Sequence, residues 1–223
     1  MLTYLLLSQT LTPLLLEIVK LTTHNNLSFA LKEGNFFPKI NGTVDIGFQL
    51  PVKHTSFWIR NAFGNSFSKN FNPFTRFGFA SFGNNYIDNA SSKMYRGSFS
   101  FAGLSYDSEK SIIAKSFVKS TLELVLPPVR YRNFGFFNLF ATHSHATIFA
   151  GGLFINNYET TTDVNQDSKI KYSESFRNIG FQVDTKLVMF SHLSSTFSFG
   201  WARAFEVGND NKSYDEWMIS LKF

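Results

Sequence analysis

The chain contains no cysteine among its 223 residues, and only 17% of the residues are charged. The lack of cysteine excludes a disulfide scaffold, a cysteine-based zinc site and a thiol nucleophile. No run of about eighteen consecutive apolar residues occurs, since the most apolar stretch, residues 1–16, is interrupted by Ser8, Gln9 and Thr10. A protein that crosses a membrane through helices is therefore not expected.

Aromatic side chains are abundant, with 28 Phe, 8 Tyr and 3 Trp, and 43% of the residues are hydrophobic. This composition predicts a folded chain rather than a disordered one. The formal net charge is +5, but the lysines and arginines are scattered singly along the chain. Because phosphate binding requires a clustered basic face, nucleic acid is not an expected partner.

The hydrophobic pattern has a period of two residues. In the window from Arg177 to Met189 the odd positions are almost all apolar, while the even positions are mostly polar or glycine. Alternation of this kind is typical of a β-strand with two unlike faces. The next window repeats it, and the apolar positions of the two windows are expected to face lipid: Ile179, Phe181, Val183, Leu187, Phe197, Phe199 and Trp201.

Similar windows upstream, among them Ser98 to Leu104, bring the expected number of strands to about nine to eleven, separated by turn residues. The predicted fold class is all-β, an antiparallel transmembrane β-barrel. A soluble sandwich or jelly roll is the alternative, because its strands alternate too. The apolar faces contain many aromatic residues, and the opposite faces contain small or polar residues. Both features favour the membrane barrel.

Two regions are predicted along the chain. Residues 1–22 form an apolar N-terminal segment, which makes a poor signal peptide because no basic residue precedes Lys20 and no cleavage site is evident. A short buried strand or helix and a truncated start are the other interpretations. Residues 23–223 form the outer-membrane β-barrel domain.

Two motifs resemble known outer-membrane proteins. The last strand, with Trp217, Ile219, Leu221 and the terminal aromatic Phe223 on one face, looks like the terminal signal strand that the outer-membrane assembly machinery recognises. Upstream, residues 79–86 followed by Tyr95-Arg96-Gly97 resemble the bacterial surface antigen family of BamA-like barrels and their TolB-like, propeller-linked relatives.

The resemblance implies that the loop carrying Arg96 folds back into the barrel lumen, where the family places a glutamate partner at the position of Glu123. It implies location in the bacterial outer membrane, contact with its lipids including lipopolysaccharide, and a structural or transport role linked to outer-membrane protein assembly or polypeptide translocation. Because the match covers only the C-terminal part of a sixteen-stranded barrel, two alternatives stay open. One is a fragment whose N-terminal domains lie elsewhere in the same protein, and the other is a closed barrel of about ten strands.

No catalytic or cofactor motif is found, so the protein is not expected to be an enzyme. His143 and His145 share a strand face, but no acidic third metal ligand falls into register with them. No Gly-rich phosphate loop or nucleophile elbow occurs. A passive pore or surface anchor, and a soluble β-sandwich that binds sugars or lipids, are the competing functional predictions.

Overall fold

The computed structural model describes residues 4–15, 19–32, 35–67, 76–79, 96–104, 112–163, 166–190, 193–208 and 212–222. Strands make up nearly all of the regular structure in these residues. No helix in these ranges is long and apolar enough to cross a membrane.

The described residues contain twelve strands. The strands are β1 (Tyr4–Leu15), β2 (Val19–Lys32), β3 (Asn35–Gln49), β4 (Ser56–Ser66), β5 (Phe77–Gly78), β6 (Ile113–Ala114), β7 (Ser116–Val125), β8 (Val129–Phe136), β9 (Leu139–Asp163), β10 (Gln166–Met189), β11 (Leu193–Val207) and β12 (Ser213–Lys222). Apolar and polar residues alternate most clearly in β7, β10, β11 and β12.

One antiparallel sheet contains ten of these strands, in the order β1-β2-β3-β4-β7-β9-β10-β11-β12, with β8 also paired to β9. β7 and β8 follow each other along the same edge of β9 and are separated by Leu126, Pro127 and Pro128. The prolines break the strand because they lack a backbone donor. β7 and β8 therefore occupy a single strand position in the sheet, which we call a lane. The sheet has nine lanes. Since neighbouring lanes alternate in direction, the two edge strands β1 and β12 run the same way.

The two faces of the sheet differ in both polarity and burial, as β7 illustrates. Lys119, Thr121 and Glu123 are buried on one face, whereas Val118 and Leu122 on the other face are 56% and 45% exposed. We call these the inner and the outer face. From residue 118 to residue 123 the buried face is thus the more polar one, although Phe117, further along the same face, is buried as well.

β10, β11 and β12 continue this arrangement. Their inner face buries Asn178, Gln182, Ser198 and other polar residues, while Trp217 on the outer face is 55% exposed. The alternation that the sequence predicts for these three strands is confirmed, and so is the all-β fold class with a large antiparallel sheet. No pairing joins β1 to β12 among the described residues, so the sheet is open in this structure.

The apolar N-terminal segment does not form a separate unit within the described residues. Tyr4–Leu15 pairs antiparallel with β2, and β2 pairs with β3. The domain boundary expected after residue 22 therefore falls inside β2 (Val19–Lys32). Residues 4–15 are a strand in this structure.

Candidate functional site

Charged side chains gather on the inner face where β3, β4 and β7 lie side by side. The register pairs Asp45 with Arg60, and Arg60 with Thr121. Glu123 is the next inner-face position along β7, diagonal to Arg60. The alternation of the three strands therefore brings one arginine between two carboxylates that are far apart in sequence.

Glu123 is fully buried and accepts hydrogen bonds from two arginines. Nε of Arg60 and Nε of Arg96 each donate to Oε2 of Glu123 at 2.9 Å, and Nη2 of Arg96 donates to Oε1. Nη1 of Arg60 also donates to Asp45 at 2.6 Å. These four residues form the Glu123 network. The pair that the sequence analysis proposed, Arg96 with Glu123, is thus in direct contact in the structure, and it is bidentate.

Residues 96–104, which we call the inner segment, lie against the inner face. The side chain of Lys119, only 4% exposed, holds the first half of the segment. Its Nζ donates to the carbonyl oxygens of Gly97 and Ser100 at 2.7 Å and 2.5 Å. An ammonium that binds two backbone carbonyls is anchored to the chain itself rather than to a side chain, so substitutions at residues 97 and 100 would not remove these acceptors.

The second half of the inner segment is attached to the other side of the sheet. Nδ2 of Asn178 on β10 donates to the Ala102 carbonyl at 2.7 Å. The Gly103 amide donates to Oε2 of Glu216 on β12 at 2.8 Å. Glu216 is buried, and burying a carboxylate is unfavourable unless it accepts hydrogen bonds. The bond from Gly103 reduces that cost. The inner segment therefore spans the inner face from β7 to β12.

Gly103 lies so close to β11 that no side chain fits. A Cβ at this position would be 2.6 Å from the backbone nitrogen of Ala204, and the residue has a φ of +96°. Both the contact and the conformation require glycine.

An apolar cluster fixes the same segment by packing. Phe101 is 1% exposed and joins a buried group that includes Phe77, Phe117 and Leu153. The rings of Phe77 and Phe117 meet edge to face with their centroids 4.9 Å apart. Ion pairs, backbone hydrogen bonds and apolar packing thus all hold residues 96–104 in one place.

A cavity of about 380 Å³ lies beside the start of the inner segment. Its wall is formed by residues of β2, β3, β4 and β7 together with Arg96, Gly97 and Ser98. The wall includes the charged groups of Asp45, Arg60, Arg96 and Lys119. The cavity therefore has several charged side chains in its wall.

No family model matches the sequence, and no curated protein or solved structure is similar to it. The likeness to the bacterial surface antigen family consequently stays a resemblance of motifs.

Sequence reasoning identified part of this site and missed the rest. Tyr95 and Phe223 lie outside the described residues. Gly97 contributes its backbone carbonyl as an acceptor for Lys119. The strand predicted from Ser98 to Leu104 is wrong, because Ser100 forms only an isolated bridge and its neighbours in this stretch form none. Five residues that hold the network and the segment were not predicted: Asp45, Arg60, Lys119, Asn178 and Glu216. The available signal was the presence of polar residues at every second position, on the face that is buried in the structure. This pattern does not reveal which strands are neighbours.

The residues expected to face lipid are all on the outer face. Ile179, Phe197, Trp217 and Ile219 are exposed, and Phe181, Val183, Leu187, Phe199, Trp201 and Leu221 are partly buried. Aromatic rings lie side by side here, with the centroids of Phe199 and Trp217 5.6 Å apart. His143 and His145 contact each other with centroids 5.1 Å apart. In the part of the chain that the structure describes, no group of three or more metal-ligating side chains is present.

Proposed function

We propose that this chain forms part of the wall of a bacterial outer-membrane β-barrel whose interior is occupied by residues 96–104. The observation that carries the proposal is the reversed polarity of the sheet. Glu123, Lys119 and Gln182 are buried on one face, while Ile179 and Trp217 are exposed on the other. Lipid would cover the apolar outer face, and the barrel interior would hold the polar inner face.

The height of the outer face fits a bilayer. On β10 the outer-face positions from Ile179 to Met189 are apolar except for Thr185. At about 3.3 Å per residue these ten steps extend about 33 Å, which corresponds to about 25 Å of thickness for a strand tilted by about 40°. That is the expected height of the apolar band of an outer-membrane barrel.

Charged and aromatic residues border this band, as they do at membrane interfaces. Beyond Ile179 comes Arg177, and on the neighbouring lanes Arg203 donates to Asp215 at 2.7 Å and 2.6 Å. At the opposite end, exposed aromatic side chains surround the short turns: Tyr131, Phe134, Phe136, Phe137, Phe140 and Phe190. The charged residues at one end of the band and the aromatic residues at the other support a sheet that crosses a membrane.

The soluble alternatives fit the structure less well. A β-sandwich buries its apolar face against a second sheet and exposes its polar face. Here the buried face contains Lys119 and Glu123, and the exposed face contains Val118 and Leu122. This distribution argues against a soluble sandwich for sugars or lipids.

The role within the membrane follows from the inner segment. Because ion pairs and hydrogen bonds attach it from β7 to β12, it would obstruct the interior rather than leave a wide pore. A structural or transport role, including outer-membrane protein assembly or polypeptide translocation, rests on the motif resemblance. Closing the nine-lane sheet entirely by antiparallel pairs requires an odd number of further strands between β1 and β12, because these edges run the same way.

Tryptophan quenching by brominated lipid tests the proposal. Trp217 is on the outer face, whereas Trp58 lies beside Arg60 on the inner-face register, with the guanidinium 4.6 Å from its ring centroid. A variant that keeps only Trp217, W58F/W201F, should lose about half or more of its fluorescence in vesicles with brominated acyl chains. A variant that keeps only Trp58, W201F/W217F, should lose little.

Each result has a clear meaning. Equal quenching of both tryptophans, or no quenching of Trp217 in vesicles that contain the protein, would contradict a lipid-covered outer face. A chain that stays dissolved in plain buffer, without binding vesicles, would also contradict the proposal. The two variants are matched, because each replaces two tryptophans by phenylalanine.

A further inference from the structure

The cavity beside the inner segment has a wall of one dominant charge. Among the described residues, three cationic side chains line it, those of Arg60, Arg96 and Lys119, together with one carboxylate, that of Asp45. Glu123 lies behind the two arginines and is not part of the wall. Even with Glu123 counted, cations outnumber carboxylates by three to two.

The uncharged residues of the wall offer further donors. Thr43, Ser98 and Thr121 each place a hydroxyl-bearing side chain at the cavity. A hydroxyl can donate a hydrogen bond, and arginine and lysine can only donate. The wall therefore has many donors close to a positive charge, which is the chemistry that binds anions.

Burial makes the positive charge on this wall costly. Lys119 is 4% exposed, and the side chain of Arg60 is 14% exposed. Charges withdrawn from water in this way repel one another more strongly than exposed charges do. An anion in the adjoining cavity would reduce that repulsion, and a volume of about 380 Å³ is large enough to admit a small anion with some of its water.

We propose that the cavity bounded by Arg60, Arg96, Lys119 and the three hydroxyl-bearing residues is a binding site for a small inorganic anion such as chloride. The anion lies between β4, β7 and the start of the inner segment. It screens Lys119 from the two guanidinium groups and so helps to keep Gly97 and Ser100 in place. The proposal concerns the inner face and does not depend on whether lipid covers the outer face.

The line width of the ³⁵Cl resonance tests this site, since chloride that exchanges with a protein site relaxes faster than free chloride. The folded full chain in detergent micelles should broaden the resonance, and excess sodium formate should reverse the broadening by competition. In Lys119→Met, which keeps the length of the side chain and removes its charge, we expect the protein-dependent broadening to fall by about fivefold or more.

Lys186→Met is the matched control. Lys186 is a cation on the inner-face register of β10, where its Nζ is 3.5 Å from Oγ1 of Thr196, and it is not part of the cavity wall. Its removal should leave the broadening unchanged. Equal losses in the two variants would show general attraction to a basic surface and would overturn the proposal.

A second variant covers the case in which Lys119→Met does not fold. Thr43→Val removes one donor from the wall and leaves every charge in place, so the affinity for chloride should fall by about threefold or more. Absence of broadening by the wild-type chain, or broadening that formate does not reverse and Thr43→Val does not reduce, would rule out the site. None of these outcomes bears on the lipid test, so the two proposals fail independently.

Discussion

Replacing Glu123 by glutamine should lower the free energy of unfolding by about 3–5 kcal/mol, because it removes the negative charge, and one of the two acceptor oxygens, that two partly buried guanidinium groups share. Arg60 would keep Asp45 as a partner, whereas Arg96 would lose its two-point ion pair, because the single amide oxygen of glutamine can replace at most one of the two carboxylate oxygens. The measurement is denaturant unfolding of the folded chain in micelles, with Glu123→Gln compared with wild type.

Asp215→Asn provides the control. Asp215 also forms a two-point pair with an arginine, but its side chain is 40% exposed and that of Arg203 is 42% exposed. Water screens an exposed pair of this kind, so this substitution should have a much smaller effect than Glu123→Gln. Equal losses for Glu123→Gln and Asp215→Asn would contradict the burial argument.

A double-mutant cycle with Arg96→Gln separates the pair from the rest of the network. Residues in direct contact usually couple by about 0.5–3 kcal/mol. Arg96→Gln alone should cost less than Glu123→Gln, since Glu123 keeps the bond from Nε of Arg60 at 2.9 Å. Strictly additive effects would mean that the contact between Arg96 and Glu123 contributes nothing measurable to stability.

The sequence was sufficient for the parts of the fold that depend on local alternation. In β10 the odd and even positions from Ile179 to Leu187 separate into the two faces as predicted, because a strand has no other way to place its side chains. The contact between Arg96 and Glu123 was also anticipated, although from the resemblance of a motif rather than from the spacing of the two residues.

The remaining features depend on which strands are neighbours, and a period of two does not contain that information. Arg60 joins Glu123 only because β4 pairs with β7 across a separation of 63 residues. Glu216 reaches Gly103 across 113 residues. The stretch from Ser98 to Leu104 looked like a strand because it also alternates. Side chains of the sheet instead bond the carbonyls of Ser100 and Ala102 and the amide of Gly103, an arrangement that no local pattern can indicate.

The two halves of the inner segment are held by different chemistry, and this difference allows them to be tested separately. The charged side chains of Arg96 and Lys119 hold the first half. Substitutions of these two residues therefore change the electrostatic energy of the segment. The second half depends on a backbone amide and on the close approach of Gly103 to β11, so a change of shape should release it.

Gly103→Ala should detach the second half of the inner segment from β11 and β12. The added Cβ would lie 2.6 Å from the Ala204 nitrogen, and a φ of +96° is unfavourable for alanine. The conformation costs about 1–3 kcal/mol, and overpacking against the backbone adds about 1–3 kcal/mol. The amide would then move away from Glu216. Chymotrypsin cleavage after Phe101, followed by mass spectrometry, should be about tenfold faster or more than in wild type, since it reports local opening.

Gly208→Ala isolates the contribution of the contact. Gly208 has a φ of +97°, almost equal to that of Gly103, but no atom of the described residues lies within 4 Å of a Cβ placed there. It should therefore show the conformational cost alone, with cleavage after Phe101 unchanged. If both variants lost the same stability and resisted chymotrypsin equally, the close approach to β11 would not be what holds the segment. If only Gly103→Ala is cleaved, the bond from Gly103 to Glu216 and the packing of Phe101 open together, and the second half of the segment behaves as one unit.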